Sequence, residues 1–170
     1  DLWDLVGRSE GTSEAQDAES TMFMVGSSGC GKSTLIQNFL KPNSKKEPKP
    51  TFSLEYNFAR KKTANGKSLA HIWELGGDIY EPKLLSVPIS AKTLQHLSVV
   101  ICVDLSKPAN ALMSAKHWIE VVRTAVTSSL TELRATNNDQ VQVMRKATKA
   151  LWGDHADASR IQPGPVPIVI

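Results

Sequence analysis

Three short apolar runs predict buried strands in this chain. Residues 21–25 form a compact run that ends at Gly26, and residues 99–103 form a second run that ends before an aspartate. Residues 166–170 form the third, after a turn-forming stretch of prolines and glycine. Short apolar runs bounded by turn residues are typical of strands that are covered on both faces.

A different pattern, with apolar residues at every second position, predicts a hairpin after the first strand. Residues 51–60 alternate in this way, and residues 68–75 form the returning strand. Asn65-Gly66 lies between them and is a strong signal for a tight hairpin turn. We therefore expect two antiparallel strands here.

Helical periodicity occurs in three places. Residues 33–40 predict a short helix that ends at Lys41-Pro42. A further helix starts near Asn137 or Asn138, either of which can cap it, and ends at Gly153. Between these two lies a long helix, whose apolar residues recur at spacings of three and four. Its apolar positions are Leu112, Ala115, Ile119, Val122, Val126, Leu130 and Leu133.

Strands that alternate with helices predict an α/β fold, with a mostly parallel sheet, one antiparallel edge hairpin and helices on both faces. The 170 residues fit a single domain, which we expect to span residues 21–170. Residues 1–20 precede it and hold an apolar patch, followed over 7–20 by a polar, acidic linker. Such a patch is expected to dock, either onto this domain or onto a partner. The patch consists of Leu2, Trp3, Leu5 and Val6.

Composition narrows the class of protein. Apolar residues make up 41% of the chain and charged residues 22%, which is ordinary for a globular protein. No apolar run approaches the length that crosses a bilayer, so we expect no membrane insertion, and no secretory signal is visible. Cys30 and Cys102 are the only cysteines and are expected to be reduced thiols of a cytosolic protein. The four histidines lack metal-ligand spacing, and no catalytic residue is predicted.

Charge is unevenly distributed along the chain. The net charge is +3, yet residues 1–20 carry six acids against one arginine. The stretch from Lys41 to Lys67 holds eight basic residues against two glutamates. We interpret it as a solvated loop and hairpin surface, or as a site for an anionic partner. Because aromatic residues are not interleaved with these basic residues, nucleic acid is not an expected partner.

The segment after the first strand carries the clearest chemistry. Residues 26–33, Gly-Ser-Ser-Gly-Cys-Gly-Lys-Ser, fit the phosphate-binding pattern G-x-x-x-x-G-K-[ST] in full. Glycines let the loop backbone direct its N–H groups at phosphate oxygens, and the helix that follows adds its positive end. Lys32 can reach the β- and γ-phosphates, and Ser33 can ligate Mg²⁺. The predicted nucleotide-binding residues in this region are Gly26, Ser28, Gly29, Cys30, Gly31, Lys32, Ser33 and Thr34.

The expected ligands are a purine nucleoside diphosphate or triphosphate, GTP/GDP or ATP/ADP, together with Mg²⁺. Within the loop, we interpret Cys30 as a tolerated small residue rather than a redox thiol, although the helix end should lower its pKa.

Two further segments resemble the Ras-like GTPase superfamily, particularly its Arf branch. Pro50-Thr51 precedes the hairpin, and residues 73–78, Trp-Glu-Leu-Gly-Gly-Asp, end it. That branch carries Pro-Thr in its first switch and Trp-Asp-x-Gly-Gly-Gln in its second. The resemblance implies that Thr51 ligates Mg²⁺, that Glu74 stands in for the aspartate that holds Mg²⁺ through water, and that Gly77 offers its N–H to the γ-phosphate. The predicted metal ligands are thus Ser33, Thr51 and Glu74.

The chain departs from that superfamily at two positions. Glu74 is one methylene longer than the family's aspartate, and Asp78 stands where the family has the glutamine that orients the attacking water. Because a carboxylate there would face the charge of the γ-phosphate, we expect weak or absent hydrolysis. The guanine-reading Asn-Lys-x-Asp would follow the strand over 166–170. We therefore expect the chain to stop before that motif and before the last strand or strands of the domain, which leaves the base open.

A narrower resemblance joins five short segments, at residues 2–5, 54–58, 70–77, 104–108 and 165–170. In their order and spacing they resemble the dynein light intermediate chains, with the branch of cytoplasmic dynein 2, the motor of retrograde intraflagellar transport, as the best match. The resemblance covers nearly all of the chain.

This resemblance implies a Ras-like domain that is used as a scaffold. It would bind the tail of the dynein heavy chain, alongside other dynein and intraflagellar-transport subunits. The expected locations are the cytoplasm, the cytoskeleton, and the cilium or flagellum with its basal body.

Two hypotheses about function remain. The first is a non-catalytic motor subunit, which Asp78, the enlarged helical region and the apolar patch over residues 2–6 favour. The second is an active Arf- or Ras-like GTPase switch, which the intact loop, Thr51 and Gly76-Gly77 favour.

Overall fold

A computed structural model describes residues 18–63, 66–77, 81–153 and 164–170 of the chain. Its strands form one five-stranded sheet in the order β2-β3-β1-β4-β5. The central strands β1, β3 and β4 are parallel, β5 is parallel to β4, and β2 runs antiparallel to β3. The strands are β1 Ala18–Gly26, β2 Leu54–Thr63, β3 Gly66–Leu75, β4 Leu97–Cys102 and β5 Ile168–Val169.

Four α-helices and one 3-10 turn connect these strands within the described residues. Helix α4 begins where the side chain of Asn137 accepts a hydrogen bond from the backbone N–H of Gln140 at 3.1 Å, so Asn137 is the cap. The helices are α1 Lys32–Leu40, α2 Pro82–Leu85, α3 Pro108–Thr136 and α4 Asn138–Trp152, with the 3-10 turn at Leu94–His96.

The two faces of the sheet are covered by different helices. Alternate residues of a strand point to opposite faces, so Met22 and Met24 pack against Ile36 of α1. Phe23 and Val25 belong to the larger core on the other face. That core receives Trp118, Val122, Val126 and Leu133 from α3, and Val141 and Met144 from α4. The predicted α/β fold, with one antiparallel pair and helices on both faces, is confirmed.

Several boundaries differ from the predicted ones. β1 begins at Ala18 rather than 21, because Ala18, Glu19 and Ser20 continue the ladder with β3 despite their polarity. β2 begins at Leu54 rather than 51, and β5 has only two residues. Of the predicted extension over residues 1–20, residues 1–17, which include the apolar patch, lie outside the described residues.

Two features of the core were not predicted correctly. Leu112 was expected on the buried stripe of the long helix but is 63% exposed, because the buried positions of α3 begin only at Trp118. Conversely, residues 81–96, for which no element was predicted, contribute Leu85, Ile89 and Leu94 to the core. These three residues lie in or beside two short elements, the helix α2 and the 3-10 turn, rather than along one long helix or strand. Their spacing is therefore irregular and shows no periodic pattern.

The candidate site lies at one end of the sheet, where the parallel strands finish. Gly26 ends β1, Leu75 ends β3 and Cys102 ends β4, so the carboxyl ends of three adjacent strands lie together. In open α/β sheets, ligands bind at this edge. Every residue predicted for phosphate or metal binding lies in β1, β3 or the loops that leave or approach this edge, except the first helical residues of α1.

Candidate nucleotide-binding site

The loop between β1 and α1 has the geometry of a phosphate loop. Gly29 and Gly31 have φ values of 76° and 95°, and Gly31 is the N-terminal cap of α1. At Gly26, φ is 149° and a Cβ would lie 2.3 Å from the carbonyl oxygen of Cys102. Glycine is therefore required at Gly26 both by backbone conformation and by the close approach of β4.

Lys32 turns back across the loop and is buried, with 5% of its surface exposed. Its ammonium donates to the carbonyl oxygens of Gly26 at 2.8 Å and Ser27 at 3.0 Å. The Sγ of Cys30 lies 3.6 Å from the same nitrogen. A lysine ammonium has three donors, and these three contacts use them. The positive charge therefore lies at the centre of the loop, where it can exchange a carbonyl for an anionic oxygen.

Ser33 and Glu74 meet directly at the end of β3. The Ser33 hydroxyl donates to Oε1 of Glu74 at 2.6 Å, and Glu74 is only 3% exposed. Hydroxyl and carboxylate oxygens are ligands that Mg²⁺ prefers, so the donor types of this pair fit the ion. Since the longer side chain of Glu74 reaches the serine itself, these two oxygens satisfy each other without an intervening group.

Thr51, the third predicted metal ligand, does not join this pair. Its hydroxyl donates to Oε2 of Glu55 at 3.0 Å. Glu55 is paired with Glu74 across the β2–β3 ladder, and the N–H of Gly76 donates to the carbonyl of Ser53. The structure thus brings two of the three predicted metal ligands into direct contact, while the hydroxyl of the third bonds a neighbouring glutamate.

Gly77 lies directly against the phosphate loop. A Cβ at this position would fall 2.3 Å from both the Cα and the backbone nitrogen of Ser28. No side chain larger than hydrogen fits such an approach unless the backbone shifts. The segment after β3 therefore faces the loop at the position where the sequence predicts contact with the terminal phosphate. Asp78, the next residue, lies outside the described residues.

One contact of the loop was not anticipated from the sequence. The hydroxyls of Ser27 and Ser114 lie 3.0 Å apart, which joins the loop to the second turn of α3. The two serines are separated by 87 residues, and no local pattern marks Ser114. This bond attaches the long helix to the candidate site.

The two cysteines of the site perturb each other. A hydrogen bond from Cys102 lowers the pKa of Cys30 to about 6, and the charge of Lys32 lowers it as well. The pKa of Cys102 is raised, first by the same hydrogen bond and then by burial. Cys30 is therefore expected to carry the thiolate of the pair at neutral pH.

The described residues lack two kinds of feature. They contain no group of three or more His, Cys, Asp or Glu side chains that could hold a metal ion. No helix among them is both long enough and apolar enough to cross a membrane.

Together, the strand order, the glycine-rich loop after β1 and the buried lysine define a Ras-like P-loop domain. Within that class, the chain belongs to the dynein light intermediate chain family, whose model matches residues 5–166.

Individual relatives agree with this assignment. Cytoplasmic dynein 2 light intermediate chain 1 of Homo sapiens is 36% identical over 162 residues, which cover 92% of this chain and 45% of the relative. The Bos taurus protein of the same name is 32% identical over 180 residues, covering 99% of this chain and 51% of the relative. Cytoplasmic dynein 1 light intermediate chain 1 of Homo sapiens is 32% identical over 108 residues, covering 62% of this chain and 20% of the relative.

The chain spans about half the length of the dynein 2 relatives that it matches. The family resemblance found in the sequence is confirmed, and the P-loop fold that it implied is the fold observed.

Proposed function

We propose that this chain forms the P-loop domain of a non-catalytic accessory subunit of the cytoplasmic dynein 2 motor. In this role it binds and stabilises the dynein heavy chain, beside other dynein and intraflagellar-transport subunits. The observation that carries the proposal is the extent of the matches. Relatives named for dynein 2 align over 89–99% of the chain, whereas the human dynein 1 relative aligns over 62%.

The same assignment gives the proposed location and process. A dynein 2 subunit acts in retrograde intraflagellar transport, in the cytoplasm, on the cytoskeleton, and in the cilium and its basal body. The names of the dynein 2 relatives support this part of the proposal.

We infer that the phosphate loop binds the phosphates of a purine nucleotide, GTP/GDP or ATP/ADP. The buried ammonium of Lys32 and the N-terminus of α1 provide the positive charge. Ser33 and Glu74 are the residues that would hold Mg²⁺, which neutralises phosphate charge when it is bound. Thr51 would join them only after its hydroxyl leaves Glu55.

The proposal that the domain is non-catalytic rests on the residues that face the loop. Efficient hydrolysis needs a group that orients the attacking water and a group that stabilises the transition-state charge. The sequence places the anionic Asp78 where the superfamily has the glutamine that orients the water. Binding of a nucleotide can then stabilise the domain without driving a switch.

For the heavy-chain contact we propose an apolar surface at the start of α3, in the helical region that exceeds a compact GTPase. We name it the α3 surface and define it by Leu105, Leu112 and Met113, which are 77%, 63% and 68% exposed. The three residues lie within nine positions of one another in sequence, and large exposed apolar side chains that adjoin one another mark protein contacts. The Leu2–Val6 patch is the second proposed contact, and it lies outside the described residues.

Co-purification of the heavy chain tests this surface. Leu112→Asp combined with Met113→Asp should reduce the recovered heavy chain, because charged groups would face the interface core. Val143→Asp is the matched control, since Val143 is 59% exposed on α4 and lies away from the α3 surface in sequence. Recovery of the heavy chain at full stoichiometry by the double variant would remove the α3 surface from the proposal.

A second candidate function is an active Arf- or Ras-like GTPase switch. The observation that favours it is the complete loop, with Gly77 in contact with Ser28 as a switch segment would be. Single-turnover hydrolysis by the purified protein discriminates the two functions, because a switch hydrolyses its nucleotide and a scaffold does not.

A further inference from the structure

The two cysteines meet beside the phosphate loop. Cys30 lies in the loop, and Cys102 ends β4, where it pairs in the ladder with Gly26. Paired residues of neighbouring parallel strands point to the same face, so the Cys102 side chain lies on the face where a Cβ at Gly26 would meet the Sγ of Cys30. Each cysteine is also the largest influence on the pKa of the other. Since the chain has two cysteines, a disulfide within one molecule can join only this pair.

Gly26 makes the close approach of Cys30 to the end of β4 possible. A Cβ at Gly26 would lie 2.8 Å from the Sγ of Cys30 and 2.3 Å from the carbonyl oxygen of Cys102. The absent side chain therefore opens the space over β1 through which Cys30 reaches towards β4. The same space is needed for a bond between the two sulfurs.

The surroundings give the two thiols different roles. The ammonium of Lys32 lies 3.6 Å from the Sγ of Cys30 and stabilises its thiolate, which is the nucleophilic form. Cys102 keeps its proton while it donates to that thiolate. Both residues are partly exposed, so a small oxidant can reach the pair.

We propose that Cys30 is a modification site for peroxides and that Cys102 resolves the modified residue into a Cys30–Cys102 disulfide. The thiolate of Cys30 attacks one oxygen of hydrogen peroxide, the O–O bond breaks, and the hydroxide that leaves takes a proton to become water. Cys30 is then a sulfenic acid.

In the second step the sulfur of Cys102 attacks the sulfur of Cys30. The S–O bond breaks, the S–S bond forms, and the leaving hydroxide takes the proton of Cys102 as a second water. Two thiols lose two electrons in total, and one peroxide gains them.

The disulfide has a consequence that rests on the proposed nucleotide binding. It would tie the loop to the end of β4 and would remove the thiolate beside Lys32. Since phosphates must enter among the loop's N–H groups, a tethered loop is expected to bind nucleotide more weakly. Reduction of the disulfide restores the free thiols and the original affinity.

The test is a titration of the intact protein with hydrogen peroxide under native conditions, followed by thiol counting and peptide mapping. We expect the wild type to lose both thiols together and to yield a Cys30–Cys102 peptide that a reductant separates. Cys102→Ser should accumulate a sulfenic acid at Cys30 that dimedone traps, and Cys30→Ser should leave Cys102 unreacted at the same dose.

Three results would overturn the modification site. They are an unreacted wild type, a disulfide that forms only between molecules, and a Cys30→Ser variant whose Cys102 reacts as fast as in the wild type. Nucleotide affinity of the oxidised and reduced wild type is measured in parallel. A mapped disulfide with unchanged affinity would contradict only the consequence for binding. Absence of nucleotide binding in both states would contradict the proposed function and leave the mapped disulfide in place.

Discussion

The phosphate loop and the segments that face it differ in how closely they match the pattern of a GTPase. The loop, residues 26–33, has the complete phosphate-loop motif, with three glycines at positive φ and the buried ammonium of Lys32. The facing segments, residues 51–53 and 74–77, depart from the switch pattern. The hydroxyl of Thr51 bonds Glu55, and Ser33 is bonded by a glutamate, Glu74, where the superfamily has an aspartate.

This difference separates two properties that a GTPase combines. Binding of phosphate depends on the loop and its helix, which are intact, whereas hydrolysis and switching depend on the facing segments, which are altered. The proposed scaffold would have the first property and lack the second. Each prediction below tests whether the two regions are separable in this way.

The largest expected effect concerns hydrolysis. We expect single-turnover hydrolysis of bound GTP or ATP to be far slower than the rate of about 1 per second or more typical of an activated GTPase. Asp78→Gln should raise the rate, because a neutral amide can orient water, and Asp78→Asn is the control with a shorter amide. Wild-type turnover near the activated rate would remove the contrast between the two regions.

Nucleotide affinity should depend strongly on the loop. Lys32→Ala is expected to weaken binding of nucleotide by about tenfold or more, because a buried charge-assisted contact is lost. Isothermal titration calorimetry measures this change. Lys92→Ala, at an exposed position outside the loop, is the matched control. Equal affinities for the wild type and Lys32→Ala would refute the role of Lys32.

The contact between Gly77 and the loop can be tested through stability. Gly77→Ala should lower the free energy of unfolding by about 1–3 kcal/mol, since its Cβ would overlap the backbone of Ser28. Thermal unfolding measures this change. Gly164→Ala is the control, because its Cβ would meet nothing nearer than 4.0 Å. If the two variants unfold at the same temperature, Gly77 does not rest on the loop.

The smallest effect is expected at Thr51. Because its hydroxyl bonds Glu55, Thr51→Ala should change the Mg²⁺ dependence of nucleotide affinity by less than about twofold. Ser33→Ala, which removes the hydroxyl that bonds Glu74, should reduce that dependence clearly. If Thr51→Ala has as large an effect as Ser33→Ala, the first facing segment joins the metal site once nucleotide is bound.

The loop and the strands could be predicted from local patterns, because their conformations are set largely by residues that are adjacent in sequence. The motif over residues 26–33 fixes a strand, a turn and a helix start, and the period-two pattern fixes the hairpin. Contacts between distant residues left no such trace. The bond of Ser27 to Ser114, 87 residues away, depends on how the elements pack, which no local pattern records.

The apolar stripe of the long helix α3 shows a further reason why the sequence-based prediction of buried residues was wrong. Its spacing is continuous from Leu112 to Leu133, yet only the part from Trp118 onwards contains the buried positions. Periodicity identifies a helix and its apolar face, but it does not show how far along the helix that face is covered by other elements. Leu112, the exposed first residue of that stripe, is part of the α3 surface proposed to contact the heavy chain.

The most direct test of the central claim combines both regions in one measurement. Wild-type protein and Lys32→Ala are each co-purified with the dynein heavy chain, and bound nucleotide is quantified in the same samples. We predict that Lys32→Ala loses nucleotide but recovers the heavy chain at wild-type stoichiometry, because assembly uses surfaces outside the phosphate loop. Loss of the heavy chain in proportion to the loss of nucleotide would contradict this account and would identify the domain as a nucleotide-controlled switch.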